Sequence, residues 1–311
     1  MSDTLVGLPP DPILERRQEI QRRASQTIGR RTLVSNIFMG LLIGAFALAL
    51  VPLGSVIWAL LAKGLPSISW GFLHRLPQQP SLIAQNAIGG VGNAIEGTLV
   101  LDICAGLVAV PIAVIVGLYL SETSSRIGNF LRAIVEIMTG LPSILLGVFA
   151  YEYVVVPMKS FSGLAGIVAL AVLMVPVIAK ASELAFRGVP RTLKEAGLAL
   201  GARSSRVSRG VILPVAMPGV LTGVLLALAR AVGETAPILL VVGPSVSNTW
   251  NWNPLHPMSA LPLLTYGYSG SQYPSQRAAA WGVALTLVFL VMVFSFASRL
   301  VSARMRRERR S

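Results

Sequence analysis

The chain has 311 residues, of which 54% are hydrophobic and 13% charged, and its mean hydropathy is +0.70. Soluble domains carry about 25% charged residues, so a water-soluble globular domain is excluded as the default and an integral membrane protein takes its place. Lys and Arg number 26 against 13 Asp and Glu, a net +13, yet these cations sit in loops between apolar runs, which reads as membrane topology rather than as a nucleic-acid face.

Residues 1–32 are polar and rich in Arg and Gln, the pattern of a flexible or surface-lying tail. The apolar run Leu33–Ala62 follows a group of arginines. It is far longer than the roughly 7–15 residues of a signal-peptide core, so it is read as an uncleaved first span. Crossing the hydrocarbon takes roughly 20 apolar residues as a helix. Six stretches meet this, at about 34–61, 98–120, 133–158, 163–182, 212–243 and 279–300. The fourth is short, and Pro214, Pro218 and Pro237 interrupt the fifth. Prolines within spans (Pro52, Pro111, Pro142, Pro176) predict a packed bundle with bends, because neighbouring helices must re-satisfy the freed backbone groups. The fold class is therefore all-α integral membrane. Cys104, the single cysteine, falls inside an apolar run and makes no internal disulfide.

Orientation follows from where the cations lie. Of the 26 Lys and Arg, 21 fall in the N-terminal tail, the loops after the second and fourth spans and the C-terminal tail, and only Lys63, Arg75, Lys159 and Arg277 fall in the alternate loops. This predicts both termini and the 186–213 loop in the cytoplasm of a multi-pass membrane protein. Two long loops are then external. Residues 63–97 carry His74, and residues 244–278 carry Trp250, Trp252, Tyr266, Tyr268 and Tyr273. The aromatic residues read first as interfacial anchors of helix ends, and alternatively as a pore cap or a docking surface. The domain reading is a tail at 1–32, a first span and external loop at 33–92, a core at 93–303 and a basic tail at 304–311.

The 186–213 loop is the most patterned part of the chain. Pro190 suits a first helical turn, and Leu193, Ala196, Gly197 and Leu200 recur at i, i+3, i+4 and i+7. Gly201 can take a left-handed helix-ending conformation, and Ser204 or Ser205 can cap a second short helix leading to Leu213 and Pro214. Two short helices around a glycine turn, with Arg203, Arg206 and Arg209 outside, make an apolar knob with a basic rim, fit for a groove in another protein. The plain alternative is a charged loop that only fixes topology.

Ionisable residues within spans are functional candidates by default. Here they are Asp102, Glu136, Glu152, Lys180, Glu183, Arg230 and Glu234. Glu152, Lys180 and Glu183 lie near span ends, where water is within reach. Arg230 and Glu234 lie deep in the fifth span, in Ala229-Arg230-Ala231-Val232-Gly233-Glu234-Thr235-Ala236-Pro237, and at i, i+4 they can pair. Arg before Glu is the weaker order for helix stability. Either the pair is structural, or Arg230 offers a fixed positive charge on an anion route with Glu234 as its resting partner, since guanidinium matches a tetrahedral oxyanion bidentately.

Glu195-Ala196-Gly197-x3-Gly201-x9-Val211-x-Leu213-Pro214 resembles the EAA motif of ABC-importer permeases, with Gly197 in place of Ala and Val211 in place of Ile. Leu228–Pro237 resembles the corresponding span of phosphate-importer permeases of the PstA type. Gly140-Leu141-Pro142-Ser143-Ile144, Leu120-Ser121-Glu122, Asn93–Leu99 and Leu261–Tyr266 match as well, and the resemblance covers roughly residues 90–300. It implies a six-helix type I ABC-importer transmembrane domain with cytoplasmic coupling helices. It also implies a heterodimer with a PstC-type permease, a dimeric PstB-type ATPase and a PstS-type phosphate-binding protein. On this reading Arg230, Glu234, Thr235 and Lys180 line the substrate pathway. The ATPase is gripped through Leu193, Glu195, Ala196, Gly197, Leu200, Gly201, Leu213 and Pro214.

The sequence has no Gly-x4-Gly-Lys-Ser/Thr loop, no Cys/His cluster and no nucleophile–base arrangement. The chain is thus expected to catalyse nothing and to hold no cofactor, with ATP and Mg bound by the partner ATPase. A permease for another oxyanion, sulfate or molybdate, is the nearest alternative. A stand-alone secondary transporter is the more distant one, and it lacks the internal repeat such folds often show.

Overall fold

The computed structural model describes residues 12–78, 89–243 and 249–307. The expectations for residues 1–11, for parts of both long external loops and for the last four residues lie outside these. The chain divides at Ala59/Leu60 into two units, each described on its own.

The first unit is essentially the helix α1 (Pro12–Gly64), which runs past the dividing point. The residues expected as a tail from Pro12 onward continue directly into the first span as one helix. Leu41, Leu42, Phe46 and Leu48 are all exposed on it. Apolar side chains on every face are the mark of a helix whose solvent is lipid or another helix rather than water.

In the second unit, the short helix α2 (Trp70–His74) begins at Ser69, whose Oγ accepts from the Phe72 N–H. Helix α3 (Gly92–Glu122) follows, then α4 (Arg126–Gly140) and α5 (Ser143–Ala150). A π-helical turn at Tyr151–Val155 leads into α6 (Val156–Met158). The central helix is α7 (Gly163–Arg187), and then come α8 (Arg191–Ala199) and α9 (Ser204–Val207). A second π-turn, Ser208–Ile212, joins α9 to α10 (Leu213–Ala231). The order closes with α11 (Ala236–Leu239), α12 (Leu261–Ser269) and α13 (Pro274–Arg307).

Among the described residues five helices are long and apolar enough to cross a membrane: Arg31–Ser67, Gly92–Glu122, Gly163–Arg187, Ser204–Ala231 and Pro274–Ala297. A sixth is present if α4 and the Ser143–Met158 helix, bent by 103°, count as one span. The third expected span is therefore not a straight helix. Leu141 and Pro142 are both extended in ψ, and Pro142 stands at the start of α5, where its ring costs no hydrogen bond.

Both π-turns sit just ahead of a proline, Pro157 and Pro214. A proline ring collides with the carbonyl four residues earlier, here Tyr153 and Gly210, and both of those lie inside the widened turns. The local widening lets the helix continue through the proline.

Packing rests on small residues. Gly219 and Gly223 of α10 lie against Ala185 and Ala181 of α7, and Gly117 of α3 lies against Ser182 and the Ala179 carbonyl of the same helix. Without a hydrophobic drive between helices in lipid, such stripes bring backbones close enough for dispersion to hold them. A second apolar cluster gathers Phe72, Val91, Leu261, Leu264, Tyr268 and Val283 at the other end of the bundle. Thr98 stitches that end together: its Oγ1 donates to the Ala94 carbonyl at 2.7 Å and accepts from the Leu261 N–H at 2.9 Å, where α12 begins. Two sequence matches noted separately, Asn93–Leu99 and Leu261–Tyr266, thus meet. Tyr268, read as an interfacial anchor, is instead a buried core residue, whereas Trp250, Trp252 and Tyr266 are exposed.

Candidate functional site

Helix α10 ends at Ala231, capped by Val232, and the chain turns through Gly233 and Glu234 before α11 begins. Arg230 and Glu234 are therefore not one turn apart on a continuous helix, as the sequence reading had it. They straddle a helix end. The interaction survives in loosened form, Arg230 Nε to Glu234 Oε1 at 3.4 Å, with Arg230 about half exposed (52%) and Glu234 mostly covered (18%). Thr235 sits at the start of α11 without a side-chain cap, and its carbonyl accepts from the Leu239 N–H.

The break is held from two sides. A Cβ on Gly147 of α5 would lie 2.8 Å from Pro237, so only glycine lets α5 approach α11 this closely. Gly166 of α7 lies as close to the Val242 side chain, where a Cβ would come within 2.5 Å. The bend between α4 and α5 and the break after α10 are thus packed elements of one region, not frayed ends.

Lys180 is not part of that break. Its Nζ bonds Glu136 Oε1 on α4 at 2.7 Å, with both side chains about half exposed. The neighbouring Ala181 marks its level opposite Gly223 of α10. At 1.5 Å per residue this is roughly 10 Å along α10 from Arg230. The four residues expected on one pathway therefore form two charged stations at different depths, Arg230–Glu234 with Thr235 and Lys180–Glu136.

In the loop that joins α7 to α10, Pro190 precedes rather than opens the first helix, α8. Gly201 has φ +78, the left-handed conformation that ends α8 cleanly. The second expected helix is present from Ser204 as α9 but is not a separate short one. Ser204 starts the helix that continues, through the π-turn, into α10, without a serine cap, and Leu213 and Pro214 lie inside it. Leu193, Glu195 and Ala196 are exposed, and Leu200 is 89% exposed. Gly197 points the other way. A Cβ there would come within 3.0 Å of buried Val207, so the glycine that departs from the usual alanine allows tight contact between α8 and α9.

Sequence reasoning placed Glu183 near a span end within reach of water and did not connect it with the charged groups beneath this loop, where it is buried. Glu183, buried at 4%, receives Arg132 Nε at 2.9 Å and Arg187 Nη2 at 2.7 Å. Arg132 also donates to the Leu120 carbonyl at 2.9 Å and to Asn129 Oδ1 at 2.8 Å. Glu122, at the end of α3, accepts from Lys194 Nζ at 3.1 Å and Ser208 Oγ at 2.9 Å. A cleft of about 650 Å³ lies alongside, lined in part by Glu122, Arg187, Arg191, Lys194 and Glu195. The sequence signal was there, since Leu120-Ser121-Glu122 matched and Glu183 was a span-end charge. What was lacking was the knowledge that Arg132, 51 residues away, would meet Glu183.

A family model described as "Binding-protein-dependent transport system inner membrane component" matches residues 109–307. The chain belongs to this family. Full-length relatives agree with the assignment to binding-protein-dependent permeases. "Probable phosphate transport system permease protein PstA" of Methanocaldococcus jannaschii is 37% identical over 263 residues, 84% of this chain and 91% of that protein. "Phosphate transport system permease protein PstA 1" of Mycobacterium tuberculosis is 32% identical, covering 99% and 98%. Among solved structures, the inward-facing MetNI methionine ABC transporter matches with a TM-score of 0.56 and 28% identity, over 68% of this chain and 94% of that one. The chain is a membrane permease subunit of an ABC importer, as the resemblance implied.

Proposed function

We propose that this permease forms half of a phosphate pathway, with Arg230 as the fixed cation that meets the anion. The observation that carries the reading is the state of Arg230: a guanidinium at a helix break in a membrane bundle, half exposed and held only loosely by Glu234. A charge in the bilayer is expensive, so one left this open is kept for something that binds it. Guanidinium remains charged at every working pH and offers a planar fork to tetrahedral oxyanions. Phosphate is chosen over sulfate or molybdate because the relatives at 32–37% identity are named phosphate permeases. Glu234 holds the fork when the site is empty. Thr235 adds a hydroxyl beside it, and Lys180 forms a second station along the route.

On this reading residues 93–303 are the core, both termini and loop 186–213 face the cytoplasm, and the membrane is a bacterial plasma membrane. A PstC-type permease completes the pathway, and a PstS-type protein delivers phosphate from outside. A PstB-type ATPase dimer grips Leu193, Glu195, Ala196, Gly197, Leu200 and Gly201, with Leu213 and Pro214 at the root of the loop. ATP and Mg sit on that ATPase, and this chain supplies no cofactor site and catalyses no reaction of its own. The ATPase drives transport only if its grip differs between inward- and outward-facing states.

The test is reconstitution of the chain with these three partners in liposomes. Uptake of labelled phosphate that requires ATP and resists a large excess of sulfate or molybdate supports the reading. Competition by sulfate or molybdate reassigns the anion. Uptake by the chain alone, without ATP, overturns it.

A further inference from the structure

The C-terminal end of α3 is gripped from four directions, and the grips are of two kinds. Arg132 of α4 and Arg187 of α7 both donate to the Leu120 carbonyl and both meet buried Glu183. Cations at a helix C-terminus satisfy its last carbonyls and its dipole, so this node fixes α3 to α4 and α7. Two residues beyond, a single oxygen of Glu122 accepts from Lys194 of α8 and from Ser208 in the π-turn that leads into α10. Lys194 and Glu122 are both about one-third exposed, and exposed pairs of this kind add little to stability. Ser208 is buried, so the tie reaches inward from the loop to the base of the helix that carries Arg230.

We propose that Glu122 is a positioning residue that ties coupling helix α8 to α3 and α10, transmitting movement of α8 to the break at Arg230. The proposal rests on the coupling role given to α8 above. Val207 packed on Gly197 holds α8 to the helix that continues into α10, and Glu122 adds α3 to that junction, joining three elements at one atom.

The experiment uses the complete complex with its partner permease and ATPase, carrying Cys104→Ser and Gly233→Cys. A side chain at position 233 meets only ordinary contact, the Arg230 carbonyl 3.6 Å from its Cβ. The rate at which a soluble maleimide labels position 233 is compared with and without a non-hydrolysable ATP analogue, alongside phosphate uptake per ATP hydrolysed. With Glu122 in place, nucleotide changes the labelling rate. Glu122→Gln removes that change and lowers uptake per ATP by about fivefold, the low end of coupling between sites, while ATP hydrolysis continues. Lys194→Met has the same effect, and the double variant is no worse than either single one. The proposal is overturned if nucleotide leaves labelling unchanged with Glu122 present, if it still changes labelling in Glu122→Gln, or if that variant fails to assemble. A complex that shows the Glu122-dependent change yet imports no phosphate supports the tie and sinks the phosphate reading instead.

Discussion

Two Arg–Glu ion pairs four residues apart stand among the described residues, and they are built in opposite ways. Glu183 and Arg187 lie on one continuous helix with the acid first, the favourable order, and the acid is buried, contacts a second arginine and sits 2.7 Å from Arg187. Arg230 and Glu234 have the reverse order, straddle a helix end and stand 3.4 Å apart with the arginine half in the open. In the first pair the buried acid is held by two arginines, and Arg187 also donates to the Leu120 carbonyl. Arg187 is itself half exposed, so what separates the pairs is burial of the acid and its partners rather than openness of the arginine. The second is under-satisfied in a setting where that is costly. On the function proposed above, the same residue types at the same spacing serve architecture in one place and an anion in the other, and the helix end makes the difference.

Four substitutions sharpen or break this contrast, taken from the largest effect to the smallest. Glu183→Ala strips the acid from between two arginines. Breaking a buried pair costs about 3–5 kcal/mol, and the partial exposure of Arg132 and Arg187 puts the expected loss near the low end, about 3 kcal/mol, read by SDS-induced unfolding in mixed micelles. Arg230→Gln leaves unfolding and assembly unchanged but lowers phosphate uptake by about a hundredfold, some 2.7 kcal/mol in the transport barrier. If the bundle is destabilised instead, the two pairs are alike and the contrast fails. Leu200→Asp, at a fully accessible position, leaves the fold intact and lowers uptake per ATP by about tenfold, seen when ATPase and uptake are measured together. Gly201→Ala forces a side chain into the left-handed region with open space around it. The cost is conformational, about 1 kcal/mol, and shows as faster amide exchange confined to α8 and its turn.

Hydropathy located the spans well, because a membrane asks for length and apolarity, and both are local properties of a sequence. It was blind to direction. Leu141 and Pro142 turn the third span by 103° without any fall in apolar content, and Val232–Thr235 end α10 inside what looked like a single run. Proline was a poor guide on its own. Pro214 and Pro157 are absorbed by π-turns, Pro111 and Pro176 lie within intact helices, and Pro142 marks a real corner. Arg230 stood out because arginine in a span has few explanations. Glu122, Glu183 and Thr98 did not, since their meaning depends on partners 51 to 163 residues away. Periodicity found α8 through its small and apolar residues, but it put Gly197 on the same outward stripe as Leu200, where the fold turns it inward onto Val207.

The seam of Gly219 and Gly223 on Ala185 and Ala181 has a mechanical consequence. Loop 186–213 leaves the bundle on α7 and returns on α10, the two helices that this seam clasps backbone to backbone. Such a hairpin cannot splay when its tip is pulled. On the transport function proposed above it acts as a handle on a stiff block, and bending falls to the corner between α4 and α5 and to the turn after Ala231.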